Sequence, residues 1–160
     1  MRKRNMRKKL AITQICGLFI AAILPFIEGM FEWIVYNTYT NISKTGMSLD
    51  NLMTVQQIGG GPMVYYLFYI ALIATAVYCI AQLFVEHRLW SNKAMIALPG
   101  ATLLLTVIML VACDKYADTF NWNGELRKVA VSWGILAYVQ LAVLGAVVII
   151  ECYKQFKCSE

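Results

Sequence analysis

The stretch Leu10–Tyr36, LAITQICGLFIAAILPFIEGMFEWIVY, indicates what kind of protein this chain is. Its first part, Leu10–Ile27, carries no charge and would rise about 27 Å as an α-helix at about 1.5 Å per residue. That length is close to the hydrocarbon thickness of a bilayer, about 30 Å. The stretch therefore predicts a membrane-spanning helix that ends near Pro25, Glu28 and Glu32.

Three other runs of the sequence, 63–85, 94–113 and 129–150, also contain no charged residue. The chain is 60% hydrophobic and only 14% charged, which is too apolar for a soluble domain of 160 residues. Together with the first stretch, these runs predict four membrane spans and leave little of the chain for a separate soluble domain. The predicted spans are 10–36, 63–85, 94–113 and 129–150, joined by outer loops 37–62 and 114–128 and by an inner turn 86–93.

The connection between the second and third runs, EHRLWSNK, is short enough to make those spans antiparallel neighbours. The predicted architecture is therefore an all-α, up-down-up-down bundle of four transmembrane helices. We expect one domain, residues 1–160, with both termini in the cytoplasm.

Basic residues set the orientation of this bundle. With both termini inside, ten of the 14 Lys and Arg residues lie on inner segments and four on outer ones, as the positive-inside rule requires. The net charge of +5 then reflects topology and attraction to anionic lipid headgroups, rather than binding to nucleic acid. We expect a multi-pass protein of the plasma or cytoplasmic membrane.

The basic start, MRKRNMRKK, followed by an apolar run fits either a signal peptide or an uncleaved anchor. No small-x-small cleavage site follows the run, where the sequence reads Pro25, Phe26, Ile27, Glu28. We expect the first span to be an uncleaved anchor.

Two sets of side chains are predicted to hold the helices together, because close packing and polar contacts drive helix association in lipid. One is a ridge of small residues on the first span. The other is a group of uncharged polar residues at comparable depth on three spans, which we expect to hydrogen bond between helices. The ridge comprises Thr13, Gly17, Ala21, Pro25 and Gly29, and the polar group comprises Thr75, Thr102, Thr106 and Gln140.

A candidate ligand site lies where the first span leaves the membrane. If the helix continues past Pro25, Glu28 and Glu32 share one face at i, i+4, and such paired carboxylates bind a cation or a proton. The alternative is that both reach water at the interface. Trp33, Tyr65 and Tyr69 add aromatic faces, which either hold an organic cation or form the usual interfacial belt.

Other chemistry is weakly indicated. The chain has one His and no HExxH, CxxC, GxSxG or Walker pattern, so we expect no metal site, no cofactor and no catalysis. Cys16 and Cys79 lie at similar depth and are candidates for contact, while Cys152 and Cys158 suit acylation or weak metal binding. In the first outer loop, Ser48 is placed to cap a short surface helix, and Asn41 begins a glycosylation sequon.

The expected function is association without catalysis, as an accessory, scaffold or ligand-sensing subunit. Expected partners are the lipid bilayer and either another membrane protein or a second copy of the chain. The alternative is an oligomeric small transporter or channel component with an outward-facing site near Glu28. A second alternative is a membrane enzyme acting on lipid or quinone.

Overall fold

Four long helices account for most of the chain. The computed structural model describes residues 2–37, 40–58, 60–84 and 93–157. Within these ranges four helices are long and apolar enough to cross a membrane, by length and composition. They are α1 (Arg2–Ile23), α2 (Gly61–Phe84), α3 (Ala97–Asp114) and α4 (Ile135–Lys157).

The prediction of an all-α bundle is wrong, because the chain also contains a four-stranded antiparallel sheet. The strands come from the two segments predicted as outer loops and from the adjoining ends of two predicted spans. The fold is therefore mixed α/β. The strands are β1 (Phe31–Asn37), β2 (Thr40–Met47), β3 (Ala117–Trp122) and β4 (Glu125–Trp133), in the order β2-β1-β4-β3.

The first predicted span fails beyond Ile23, where α1 ends in a short turn of tighter helix, Leu24–Phe26. Pro25 interrupts the helical hydrogen bonds, and Gly29 takes a φ of +97°, which reverses the chain. The residues that follow, FEWIVYN, are mostly aromatic or β-branched and favour a strand. Absence of charge alone did not distinguish this strand from a continued helix.

The predicted bounds of the fourth span, 129–150, are wrong at both ends. Its first residues, from Val129 to Trp133, belong to β4, and α4 begins only at Ile135. At the other end α4 continues to Lys157, seven residues beyond the predicted boundary at 150. The predicted inner turn 86–93 lies outside the described residues except for Lys93, which starts a short helical turn.

The two central strands supply the interior of the sheet. β1 pairs with β4 from Phe31 opposite Trp133 to Asn37 opposite Arg127. Phe31, Val129 and Val131 are nearly inaccessible to solvent. Because paired residues in an antiparallel sheet project to the same face, these three side chains form one apolar face.

Tight turns complete the two loop segments. A short helix at Asn51–Val55 is capped by Ser48, whose Oγ accepts the backbone N–H of Asn51 at 3.2 Å. Between β3 and β4, Asn123 and Gly124 both have positive φ, of 52° and 86°. This is the usual backbone of a two-residue hairpin turn, and it sets the register of β3 against β4.

The chain forms two compact units. The helical unit contains Met1–Ala22, Leu67–Thr106 and Leu141–Glu160, and the sheet unit contains Ile23–Tyr66 and Val107–Gln140. In the helical unit Gly17 of the predicted ridge packs against α4, where an added Cβ would lie 3.1 Å from Val147. In the sheet unit Gly29 is part of a turn and not of a helical ridge.

Candidate functional sites

The structure separates the two carboxylates predicted to share a helical face. Glu28 is exposed in the turn after α1, and Glu32 lies on β1. The Nζ of Lys44 on β2 lies 3.3 Å from the Glu32 carboxylate, and both side chains are about half exposed. The predicted i, i+4 geometry is wrong because the helix ends before Glu28, and an exposed pair of this kind contributes only about 0–1 kcal/mol.

The aromatic residues of the predicted ligand site have packing partners of their own. Trp33 stacks on Tyr116 with ring centroids 6.0 Å apart, and Tyr65 is buried in the sheet unit. Tyr69 belongs to the helical unit, where its hydroxyl donates to the carbonyl of Ala22 at 3.0 Å. These contacts give all three aromatics a role in packing.

Tyr116 joins this aromatic pair to β3. Its hydroxyl donates to the carboxylate of Asp118 at 3.3 Å. Partial burial and the negative charge of Asp118 raise the pKa of Tyr116, so the phenol stays protonated at neutral pH and keeps this donor.

Two of the four polar residues predicted to bond between helices are brought together. The hydroxyls of Thr75 on α2 and Thr102 on α3 lie 3.2 Å apart in the buried interior of the helical unit. Thr106 donates to the carbonyl of Thr102 on its own helix at 2.9 Å. Gln140 is fully buried but belongs to the sheet unit.

Replacing Thr75 with valine is expected to lower the free energy of unfolding by about 0.5 kcal/mol. The effect is small because each hydroxyl also has a carbonyl acceptor on its own helix, Ala71 for Thr75 and Leu98 for Thr102. The measurement is the unfolding midpoint of the protein in detergent. Thr13→Val is the matched control, since Thr13 is exposed and bonds only within α1; equal midpoints for the two variants would contradict an interhelical bond.

Sequence reasoning missed a buried polar site of the helical unit. We call it the Glu151 cluster, and it joins three helices through one buried carboxylate. Glu151 and Lys154 are 0% and 4% exposed, although both lie on a helix that is otherwise largely apolar. The cluster comprises Gln14 of α1, Tyr78 and Gln82 of α2, and Glu151, Lys154 and Gln155 of α4.

Four donors surround the Glu151 carboxylate. Oε1 accepts the hydroxyl of Tyr78 at 2.7 Å and the amide of Gln155 at 2.8 Å. Oε2 accepts the ammonium of Lys154 at 2.7 Å and the amide of Gln14 at 3.2 Å. A carboxylate offers about four lone-pair positions, so these contacts leave little room for another ligand.

The remaining members hold these donors in position. Lys154 also donates to the side-chain carbonyl of Gln82 and lies 5.9 Å from the centre of the Tyr78 ring. Gln14 donates a second bond to the backbone carbonyl of Val147 at 2.9 Å. The arrangement neutralises a buried charge and ties α1, α2 and α4 together.

The missed signal was in the spacing. Glu151, Lys154 and Gln155 stand at i, i+3 and i+4, which places them on one face of α4. Tyr78 and Gln82 are one turn apart on α2 in the same way. Polar residues at such spacing inside a candidate span indicate an interhelical network, whereas the predicted fourth span ends at 150 and so leaves Glu151 outside it.

The described cysteines and acidic residues add no further cluster. Cys16 is exposed, whereas Cys79 is buried with its thiol 3.7 Å from the Gln14 side-chain oxygen, so the two candidates for contact differ in environment. Cys158 lies outside the described residues. Within the part of the chain that the structure describes, no three His, Cys, Asp or Glu side chains gather as a metal site.

The chain was compared with protein-family models, with curated proteins and with solved structures, and none of the three comparisons found a match.

Proposed function

We propose that this chain is a multi-pass membrane protein that works by association, with its four-stranded sheet as the recognition surface and without a catalytic role. The four apolar helices support its place in a membrane. The sheet supports association, because strands from both loop segments combine into one surface with two strands at its edges. Edge strands carry backbone donors and acceptors that pair readily with another chain.

Exposure of the edge strands is the observation that carries this proposal. On β2 the side chains from Ser43 to Thr45 are exposed, as are those from Ala117 to Thr119 on β3. With both termini in the cytoplasm, both loop segments lie on the opposite side of the membrane, where a partner would meet them. The distribution of Lys and Arg supports this orientation and a plasma or cytoplasmic membrane.

The Glu151 cluster supports a structural contribution to the same function. Ionisable residues inside a candidate span are costly and are retained where they serve a purpose. Here the carboxylate is occupied by four donors from three helices, an arrangement suited to holding the helical unit in one packing.

A second function, as a subunit of an oligomeric transporter or channel, draws its support from the buried Glu151–Lys154 pair rather than from Glu28. Such a subunit would have to exchange the partners of this pair during transport. A variant with Glu151→Gln and Lys154→Met that folds and still forms its native complexes would favour association.

Photo-cross-linking in native membranes tests the proposed function. A photoreactive phenylalanine analogue at Thr119 is expected to give adducts of discrete mass with a neighbouring protein. The matched control carries the analogue at Ile73, which is 57% exposed on α2 and suited to contact lipid. A protein that gives no adduct from Thr119, and that migrates as a solitary monomer in mild detergent, would contradict association.

A further inference from the structure

The two edges of the sheet are complementary to one another in strand direction. The order β2-β1-β4-β3 contains three antiparallel steps, so β2 and β3 run in opposite directions. Copies in one membrane insert with the same orientation. When two copies lie side by side along the sheet, β3 of one therefore meets β2 of the next in the antiparallel sense.

The backbone groups of β3 that face the open edge follow from the ladder. In an antiparallel pair, alternate residues direct both N–H and C=O to the same neighbour. The two-residue turn at Asn123 and Gly124 makes Trp122 and Glu125 a hydrogen-bonded pair. Counting back along β3 from this pair, the backbone N–H and C=O of Thr119 point away from β4. The Thr119 N–H donates instead to the side chain of the preceding residue, Asp118 Oδ1, at 2.7 Å.

The same counting applies to β2. Gly134 N–H donates to Met30 O at 2.9 Å, which continues the β1·β4 register and directs Glu32 and Ile34 toward β4. The residues of β2 opposite them, Gly46 and Lys44, then direct their backbone groups to the open edge.

Side-chain faces match as well. Residues that pair across strands project from the same face of the sheet. Thr119 pairs with Lys128, Lys128 with Tyr36, and Lys44 with Ile34 on the same strand as Tyr36. The outward-pointing residues of both edges therefore carry their side chains on one face, as a continued sheet requires. An antiparallel sheet with an even number of strands has this property. With an odd number of strands, the outward-pointing residues of the two edges would lie on opposite faces.

The charged residues of the two edge strands favour pairing of β3 with β2 over pairing of two identical edges. Lys44 is the only charged residue of β2, and Asp118 is the only charged residue of β3. A β3·β3 or β2·β2 contact brings like charges onto the same face of neighbouring strands, which is unfavourable. In a β3·β2 contact Lys44 and Asp118 project from opposite faces, because Lys44 is itself outward-pointing whereas Asp118 adjoins the outward-pointing Thr119, so this repulsion is absent.

From these observations we infer that the partner at the sheet edge is a second copy of this chain, with β3 of one copy pairing with β2 of the next to continue the sheet. The inference rests on the proposed function of association and names the associating surface and its occupant. The contact is head-to-tail, so each copy keeps one edge for a further copy.

Cross-linking between two differently tagged copies in one membrane tests this pairing. One copy carries Phe120→Cys and the other Thr45→Cys, two positions on the same face of a continued sheet, and a short membrane-impermeant bis-maleimide is added from the outside. We expect a mixed dimer from this combination, and little from Phe120→Cys with itself or Thr45→Cys with itself. Two differently tagged copies without an added cysteine give the background of cross-links between native cysteines.

Blocking the edge is the decisive variant. Thr119→Pro on the first copy, which keeps Phe120→Cys, removes an outward N–H and places the proline ring against the incoming strand. We expect the mixed dimer to fall about tenfold, while the matched Thr119→Ala leaves it unchanged.

The outcomes separate this inference from the proposed function. Equal cross-linking of like and unlike edges, or a mixed-dimer yield unaffected by Thr119→Pro, would overturn the pairing of copies. Adducts from the photoreactive Thr119 to a different protein, without mixed dimers, would overturn it too while leaving association intact. Absence of any photo-adduct and of any mixed dimer would contradict both the pairing of copies and the proposed function of association.

Discussion

Replacing Lys154 with methionine is expected to destabilise the protein by about 3–5 kcal/mol. The substitution leaves the Glu151 carboxylate, which is 0% exposed, without its counter-charge. Tyr78, Gln155 and Gln14 would still donate to it, but neutral donors do not offset the cost of a buried charge. The measurement is the unfolding midpoint in detergent, followed by circular dichroism under increasing denaturing detergent.

Two controls separate the buried pair from a general effect of losing a lysine. Lys44→Met removes the partner of Glu32 from an exposed ion pair and is expected to cost at most about 1 kcal/mol. The double variant Lys154→Met with Glu151→Gln removes both charges and should recover most of the loss. A Lys154→Met protein as stable as Lys44→Met would contradict the ion pair described for the helical unit.

Replacing Gly134 with alanine is the second substitution with a large expected effect, about 3 kcal/mol of lost stability. Gly134 joins β4 to α4, and its N–H donates to Met30 O at 2.9 Å. A Cβ at this position would lie 2.1 Å from the carbonyl oxygen of Gly29 and 3.1 Å from the carbonyl carbon of Met30. Both are backbone atoms, so the clash is relieved only by moving the turn that starts β1.

Gly145→Ala is the matched control for this substitution. Gly145 lies within α4, and an added Cβ would meet nothing within 4 Å. We expect a neutral effect or a gain of up to about 1 kcal/mol, because alanine favours a helix more than glycine does. Thermal unfolding of the two variants in the same detergent is the comparison, and a Gly134→Ala protein as stable as Gly145→Ala would show that the junction is not tightly packed.

The sheet was missed because two of its strands resemble membrane spans in composition. Phe31–Tyr36 and Val129–Trp133 have few charges, and hydropathy ranks them with the helices beside them. Their aromatic and β-branched content was the available local evidence for strands, together with Gly29 and Gly134 beside them. The pairing of β1 with β4 joins residues about 100 positions apart in the sequence, and no local pattern specifies it.

Some contacts at the candidate sites could be predicted from the sequence, and others could not. The hydroxyl contact between Thr75 and Thr102 follows from two polar residues at similar depth on antiparallel neighbours. The pairing of Glu32 with Lys44 required β1 and β2 to be recognised as a hairpin first. The Glu151 cluster required the length of α4 and the rotation of three helices about their axes, which depend on packing between them.

Hydropathy and charge alone specify four apolar segments of bilayer length, because transfer from water to lipid is a sum over residues that ignores their partners. Folding in three dimensions decided which apolar residues leave the helix for the sheet, and whether Glu151 meets water or four donors. Those outcomes depend on hydrogen bonds and close contacts between distant segments, whose energies exist only once the segments have met.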